Sequence, residues 1–130
     1  MIKRSMKNAI FYWLPNCSTC QKAKSFIERH GIRDFELRDI KENPLSREEI
    51  KNLAKLLGGE GEFFSRRAVK YREMKLSEQT LSEKEMLDLM AEEYTFLQRP
   101  ILVMNGKAIA GFFERYWNLF LEENYYEPRN

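Results

Sequence analysis

The first forty residues predict one supersecondary unit and so restrict the fold class. An apolar run from Ala9 to Leu14 ends at Pro15, as a buried central strand does. Residues 18–30 repeat apolar side chains at helical spacing and end before Gly31, whereas residues 35–40 roughly alternate with period two. A strand, a helix and a second strand in this order predict a βαβ unit, in which a right-handed crossover makes the two strands parallel.

The middle of the chain is predicted to be helical. Two capping boxes, Ser46 with Glu49 and Ser82 with Glu85, mark the starts of two helices. Residues 63–75 between them are predicted to be helical or turn-like. Several helices therefore separate the βαβ unit from the end of the chain.

A β-hairpin and a last helix close the chain. The apolar stretches 101–104 and 107–110 flank Asn105-Gly106, a pair that supplies the positive φ angles of a tight turn. A helix follows over residues 113–123. The order β-α-β, helices, β-β-α predicts a three-layer α/β fold with a mixed four-stranded sheet, in which a parallel pair is joined to an antiparallel hairpin.

Composition excludes several classes of protein. The 130 residues suffice for one domain with a sizeable core. A formal charge of +2, from 22 basic and 20 acidic residues, predicts neither direct nucleic-acid binding nor binding to an acidic membrane. No apolar run approaches the ~20 residues of a membrane helix. We expect a cytoplasmic protein with no membrane contact, and nothing in the sequence demands more than a monomer.

Both cysteines of the chain lie at the predicted strand–helix junction, in Cys17-Ser18-Thr19-Cys20. Because unpaired backbone N–H groups and the positive end of the helix dipole meet there, the pKa of Cys17 is expected to lie below the ordinary ~8.5. Cys20 lies one turn further along the same helix face, at a spacing that permits a disulfide. The pattern predicts that Cys17 is the attacking thiolate and Cys20 the resolving thiol.

Two other interpretations of the cysteine pair stay open. A zinc site needs about four ligands, and the chain offers only two cysteines and His30, which lies at the far end of the helix. No metal site is therefore predicted unless a dimer shares the ion. Two inert buried cysteines are the other alternative, since free cysteine is often buried. The context strand–Pro–x–Cys–x–x–Cys–helix favours redox chemistry.

A second motif, Gln98-Arg99-Pro100, directly precedes the predicted strand 101–104. A proline belongs at the start of a strand because it cannot donate to the ladder, and its peptide bond is sometimes cis. Arg99 offers a planar cation that could stabilise a thiolate or grip an oxyanion. The alternative is a surface arginine that pairs with Glu92 or Glu93, and the sequence does not decide between them.

Together these two motifs resemble those of one family. The stretch Leu14–Ala23 is similar to the active-site turn of the arsenate reductase (ArsC) and Spx family, and Phe96–Val103 is similar to its arginine–proline strand. The likeness runs from about residue 9 to residue 121. It implies a thioredoxin-like fold with a cis Pro100 facing Cys17.

The resemblance also implies a domain organisation and a source of reducing thiols. Residues 1–130 would form a single thioredoxin-like domain, with a helical insertion at about 44–94. Reductase members attack arsenate with the first cysteine, here Cys17, and a glutathione or glutaredoxin thiol resolves the adduct. The implied reaction needs no bound cofactor. It does need a thiol reductant such as glutathione, glutaredoxin or thioredoxin.

Reductase members hold the oxyanion with three arginines, and the chain matches this set incompletely. Arg99 matches one of them, and Arg66 and Arg67 lie one and two residues beyond the second position. The third position falls in Ala110-Gly111-Phe112, which has no arginine. The expected anion-binding set is completed by Ser18 and Thr19. Because each missing charge-assisted hydrogen bond removes ~1.5–3 kcal/mol, efficient arsenate reduction is not expected.

The other branch of the family implies a different function. Spx-like members are transcriptional regulators that use a Cys-x-x-Cys disulfide as a switch and bind the RNA polymerase α subunit. Gly59 falls near a glycine that these regulators use at the polymerase contact. Two hypotheses follow: an arsenate reductase-like thiol–disulfide oxidoreductase, and a redox-switched regulator that binds the α subunit.

Overall fold

The computed structural model describes residues 9–126. They form two compact units, one made of residues 9–39 and 99–126 and the other of residues 40–98. The strands are β1 (Ile10–Trp13), β2 (Glu36–Asp39), β3 (Ile101–Met104) and β4 (Lys107–Ala110). The helices are α1 (Ser18–Arg29), α2 (Arg47–Leu57), α3 (Val69–Glu73), α4 (Glu83–Glu92) and α5 (Glu114–Asn124). Within this part of the chain, no helix has the length and apolar content that crossing a membrane requires.

The first unit contains a four-stranded sheet in the order β2-β1-β3-β4. β1 runs parallel to β2, with Phe11 opposite Leu37, and antiparallel to β3, with Phe11 opposite Leu102. The turn between β3 and β4 has φ angles of 50° at Asn105 and 75° at Gly106, as a tight hairpin turn requires. The predicted α/β fold with a mixed four-stranded sheet is therefore confirmed.

One face of this sheet is covered by α1 and α5. Phe11 and Leu102 lie opposite each other, so their side chains share that face with Met104, two residues further along β3. They belong to one buried cluster with residues from both helices, namely Ala23, Phe26, Ile27, Trp117 and Leu121. This cluster anchors α1, whose first residues follow Cys17.

The far end of α1 is closed by polar and backbone contacts. His30 is the C-cap, and Gly31 follows it with a φ of 79°, a left-handed conformation that glycine adopts without steric cost. The Nδ1 atom of His30 lies 2.7 Å from the Tyr126 hydroxyl. His30 thus lies at the opposite end of the helix from the cysteine pair.

The second unit is helical, and both predicted capping boxes form. Ser46 accepts a hydrogen bond from the backbone of Glu49, and Ser82 accepts one from Glu85 at the start of α4. α2 packs against α4 through buried aliphatic side chains and methionines. Short 3₁₀ turns lie at Glu60–Glu62, Leu76–Glu78 and Tyr94–Phe96.

The segment 63–75 differs from a continuous helix. Only α3 within it is helical, and Phe64 instead forms an isolated antiparallel bridge with Leu97. The Phe64 ring also stacks on Phe96, with 5.2 Å between ring centroids. A buried stack of this kind holds the chain extended, which shortens the helix that follows.

Candidate active site

The junction between β1 and α1 positions Cys17 through backbone hydrogen bonds. The Cys17 N–H donates to the Leu14 carbonyl at 3.0 Å, which closes a turn over Pro15 and Asn16. The Cys17 carbonyl accepts from the Gln21 N–H at 3.0 Å, the first hydrogen bond of the helix. Cys17 is therefore the N-cap residue, with an extended backbone (φ −86°, ψ 119°).

The environment of Cys17 stabilises its thiolate. The side chain is half-buried, and although burial raises the pKa of Cys17, the backbone N–H of Cys20, the Cys20 thiol and the Arg99 charge lower it. The net result is a pKa below the ordinary value of a cysteine. The sulfur lies outside ideal capping geometry, so the N–H groups act on it chiefly as nearby positive dipoles.

Cys20 has the opposite character. Its side chain is fully buried, and its pKa is raised to about 12, with burial as the largest cause. Hydrogen bonding to Cys17 and the negative charge there also contribute to this raised pKa, whereas the backbone N–H of Leu14 and the Arg99 charge act against it. Both cysteines are free thiols in the structure. Cys20 is therefore a neutral S–H donor to the Cys17 thiolate.

Arg99 and Pro100 belong to the same unit as the cysteines. The peptide bond between them is cis, Pro100 is buried and Arg99 is half-buried with its Nε atom inside the protein. The Pro100 carbonyl accepts from the Gly111 N–H at 2.8 Å. The positive charge of Arg99 lowers the pKa of both cysteines. The thiolate-stabilising interpretation of Arg99 stays a prediction, and this electrostatic effect agrees with it.

The residues between the cysteines face solvent. The side chains of Ser18 and Thr19 are exposed on the first turn of α1. The backbone N–H of Thr19 contributes to the lowered pKa of Cys17. Their hydroxyls and N–H groups remain candidates for binding an anionic group that approaches Cys17.

The other predicted anion-binding residues, Arg66 and Arg67, belong to the second unit and are exposed. The Arg66 guanidinium lies 5.8 Å from the centroid of the Phe64 ring, within range of a cation–π contact. The Arg67 N–H donates to the Ser65 hydroxyl at 3.4 Å. These contacts orient both arginines ahead of α3.

Gly59, the predicted partner contact, lies between α2 and the first 3₁₀ turn. Its φ of 134° is one that other residues rarely adopt, and its N–H donates to the Ala54 carbonyl at 2.8 Å. A Cβ atom there would lie 3.0 Å from Glu83 Oε1. Gly59 borders a groove of about 560 Å³ whose charged lining consists of the basic residues Arg47, Lys51, Lys55 and Lys84 and the acidic residues Glu60 and Glu83.

The acidic, histidine and cysteine side chains of the described residues do not form a metal-binding cluster. Across residues 9–126, no three His, Cys, Asp or Glu side chains converge as ligands for an ion.

Two supports of the site have no signal in the sequence. Gln21 donates from Nε2 to the Pro15 carbonyl at 2.6 Å, although an exposed helical glutamine usually indicates only a solvated surface. The buried Trp117 donates from Nε1 to the Gly111 carbonyl at 2.6 Å. Periodicity places Trp117 in the core, but it does not reveal which carbonyl the indole meets.

Removal of the Arg99 charge is expected to make Cys17 less acidic. In Arg99→Met the rate of Cys17 alkylation, followed against pH, should reach half its plateau at a higher pH than in the wild type, so less thiolate is present at neutral pH. Arg99→Lys should shift the midpoint less because it keeps the charge. Arg115→Met, at an exposed position on α5, should leave it unchanged. Coinciding profiles for Arg99→Met and the wild type would contradict this electrostatic role.

Known proteins resemble the chain in sequence and in fold. The family model described as ArsC family matches residues 12–120. YusI of Bacillus subtilis is 40% identical, over 82% of this chain and 96% of its own length. The global transcriptional regulator Spx of Lactiplantibacillus plantarum is 31% identical, over 81% of this chain and 80% of its own length. The solved structure of an arsenate reductase from Vibrio cholerae is 28% identical with a TM-score of 0.76, covering 92% of this chain and 98% of its own.

Proposed function

Because the chain belongs to the ArsC family, we propose that it is a thiol–disulfide oxidoreductase whose catalytic residues are Cys17 and Cys20. One observation carries the proposal: a half-exposed cysteine of lowered pKa lies beside a buried, neutral one on the same helix turn. A nucleophilic thiol has to be ionised and accessible. A resolving thiol instead stays protonated until the mixed disulfide with the first cysteine has formed.

The first step is attack by the Cys17 thiolate on one sulfur of a disulfide R–S–S–R′. The Cys17–S–S–R bond forms, the R–S–S–R′ bond breaks, and R′S⁻ leaves and takes up a proton from water. Arg99 stabilises the thiolate before attack. Ser18 and Thr19 are suited to bind an anionic part of the disulfide, because both face solvent at the helix N-terminus.

The second step follows from the first through the pKa of Cys20. Once Cys17 is in a mixed disulfide, it neither carries a negative charge nor accepts strongly from Cys20, and both effects had raised the pKa of Cys20. The pKa of Cys20 therefore falls, and its thiol loses a proton to water. Attack on the Cys17 sulfur forms the Cys17–Cys20 disulfide and releases RS⁻.

Return to the dithiol requires two electrons from an external thiol. Glutathione, glutaredoxin or thioredoxin supplies them by the reverse exchange, so the protein needs no bound cofactor. The proposal places the protein in the cytoplasm, where such reductants keep thiols reduced. A monomer is sufficient for this cycle because both sulfurs and Arg99 come from one chain.

Arsenate is not the proposed substrate. The position where the resemblance requires a third arginine follows β4. Gly111 and Phe112 occupy that region, and both make contacts with the core of the first unit. Gly111 bonds to Pro100 and Trp117, and the Phe112 ring packs at 5.6 Å from Phe26. Neither residue offers a cation. A disulfide needs less charge neutralisation than an oxyanion and fits the groups that are present.

Turnover of a mixed disulfide tests the proposal. The wild-type protein is expected to deglutathionylate a peptide when supplied with glutathione, glutathione reductase and NADPH, measured as NADPH oxidation. With arsenate in place of the peptide, kcat/KM should be at least about 100-fold lower, because two charge-assisted hydrogen bonds are lacking. A protein that reduces arsenate better than the disulfide, or reduces neither, would refute the assignment.

A second function is favoured by the similarity to the transcriptional regulator Spx. In this alternative the same disulfide acts as a switch, and the region of Gly59 contacts the RNA polymerase α subunit. The reduced and oxidised proteins should then bind purified α subunit with different affinity and without turnover. Gly59→Ala should weaken binding, whereas Gly61→Ala, where a Cβ atom meets Met86 at an ordinary 3.8 Å, should not. Equal binding by both redox forms would exclude the switch.

A further inference from the structure

The turn that carries Cys17 is held by a side chain outside the cysteine pair. Gln21, at the end of the first turn of α1, donates from Nε2 to the Pro15 carbonyl at 2.6 Å. A carbonyl oxygen only accepts, so the amide nitrogen of Gln21 must face it. The backbone N–H of Gln21 also donates to the Cys17 carbonyl at 3.0 Å. Gln21 therefore ties α1 to the turn on both sides of Asn16.

The held carbonyl is the one that defines the turn type. A hydrogen bond from Cys17 N–H to the Leu14 carbonyl closes a four-residue turn with Pro15 in the second position, where its fixed φ is favoured. Asn16 lies outside the set of described non-glycine residues with positive φ, so the turn is type I. Types I and II differ by a flip of the central peptide, which carries the Pro15 carbonyl.

The alternative turn is accessible to this sequence. Type II needs a positive φ at the third position, and asparagine tolerates that conformation better than most residues. Proline in the second position suits both types. Neither Pro15 nor Asn16 thus selects type I, whereas the hydrogen bond from Gln21 to the Pro15 carbonyl favours it.

We propose that Gln21 is a positioning residue for Cys17, because its grip on the Pro15 carbonyl keeps the central peptide of the turn from flipping. A flip would reorient the backbone that enters Cys17 and move the sulfur relative to the N–H groups of Thr19 and Cys20. Less thiolate would then be present at neutral pH. This inference rests on the proposed thiol chemistry of Cys17. It adds the residue that holds the Cys17 sulfur in place relative to the backbone N–H groups at the start of α1.

Alkylation of the full-length reduced protein by iodoacetamide tests the role of Gln21. Gln21→Met keeps the length of the side chain and removes the donor, and Asn16→Gly favours the type II turn while Gln21 stays intact. In both variants iodoacetamide should alkylate Cys17 about three- to ten-fold more slowly than in the wild type, at a pH below the pKa of Cys17. The loss of one hydrogen bond predicts an effect of this size. Peptide mapping by mass spectrometry assigns the modified cysteine.

The controls separate positioning from stability and from the proposed function. Ser25→Ala, exposed one turn further along α1, should match the wild type. If Gln21 has only a structural role, Gln21→Met will unfold at a lower urea concentration than the wild type but keep the wild-type pH profile of alkylation. That result would overturn the inference. A Gln21→Met profile that coincides with the wild type would overturn it too, with the oxidoreductase intact. A wild-type profile of an ordinary cysteine would overturn both.

Discussion

Cys20→Ser is expected to stop at the mixed disulfide that the wild type resolves. With excess 5,5′-dithiobis(2-nitrobenzoate), wild-type protein should release two equivalents of thionitrobenzoate, one when Cys17 attacks and one when Cys20 displaces the second. The variant should release one equivalent and keep the other as an adduct on Cys17, seen by intact mass. Serine cannot resolve the adduct because its hydroxyl is far less acidic than a thiol.

Cys17→Ser is the matched variant and should behave differently. Cys20 is fully buried, and burial alone holds its pKa well above the ordinary value. Its reaction with the reagent should therefore be at least about 100-fold slower than that of the wild type at neutral pH. If Cys17→Ser reacts as fast as the wild type, or Cys20→Ser still releases two equivalents, the assigned order of attack and resolution is wrong.

The strands, their order along the chain and the mixed sheet were predictable because their signals are local. The run before Pro15, the helix that ends at Gly31 and the Asn105-Gly106 turn each depend on a few adjacent residues. Each of these signals constrains φ or burial directly. The resulting β-α-β and β-β-α halves form the predicted mixed four-stranded sheet, and the structure adds its strand order β2-β1-β3-β4.

Contacts between distant residues were not predictable in the same way. The bridge of Phe64 with Leu97, and the stacking of Phe64 on Phe96, shorten a helix that residues 63–75 favour locally. The 3₁₀ turn Glu60–Glu62 likewise follows from packing against α2 and α4 rather than from its own sequence. Tertiary packing overrides local propensity at these positions.

The candidate site shows the same division. The lowered pKa of Cys17 was predictable from its place at the helix N-terminus, whereas the raised pKa of Cys20 depends on burial that only the packed core provides. Arg99 was recognisable as a cation before a strand, but its effect on the pKa of both cysteines depends on the packed fold, which the sequence alone does not give. Gln21 was invisible because its partner, the Pro15 carbonyl, is backbone.

Trp117 is expected to be the residue of α5 whose truncation destabilises the first unit most. Its ring is fully buried against Phe11 and Phe112, with centroids 6.5 Å and 5.2 Å away. Trp117→Ala should lower the free energy of unfolding by about 3–5 kcal/mol, the usual cost of removing a buried aromatic side chain. Urea denaturation of the reduced protein measures this loss.

A second substitution separates the hydrogen bond of Trp117 from its packing. Trp117→Phe keeps most of the ring but removes the Nε1 donor, which leaves the Gly111 carbonyl without its 2.6 Å partner. The expected loss is about 1–3 kcal/mol, the cost of an unsatisfied carbonyl. Tyr116→Phe, on the exposed face of the same helix, should change stability by less than about 0.5 kcal/mol. Gly111 also donates its N–H to the Pro100 carbonyl, next to Arg99. A Trp117→Phe protein as stable as the wild type would therefore show that the backbone at Gly111 and Pro100 does not need the indole hydrogen bond.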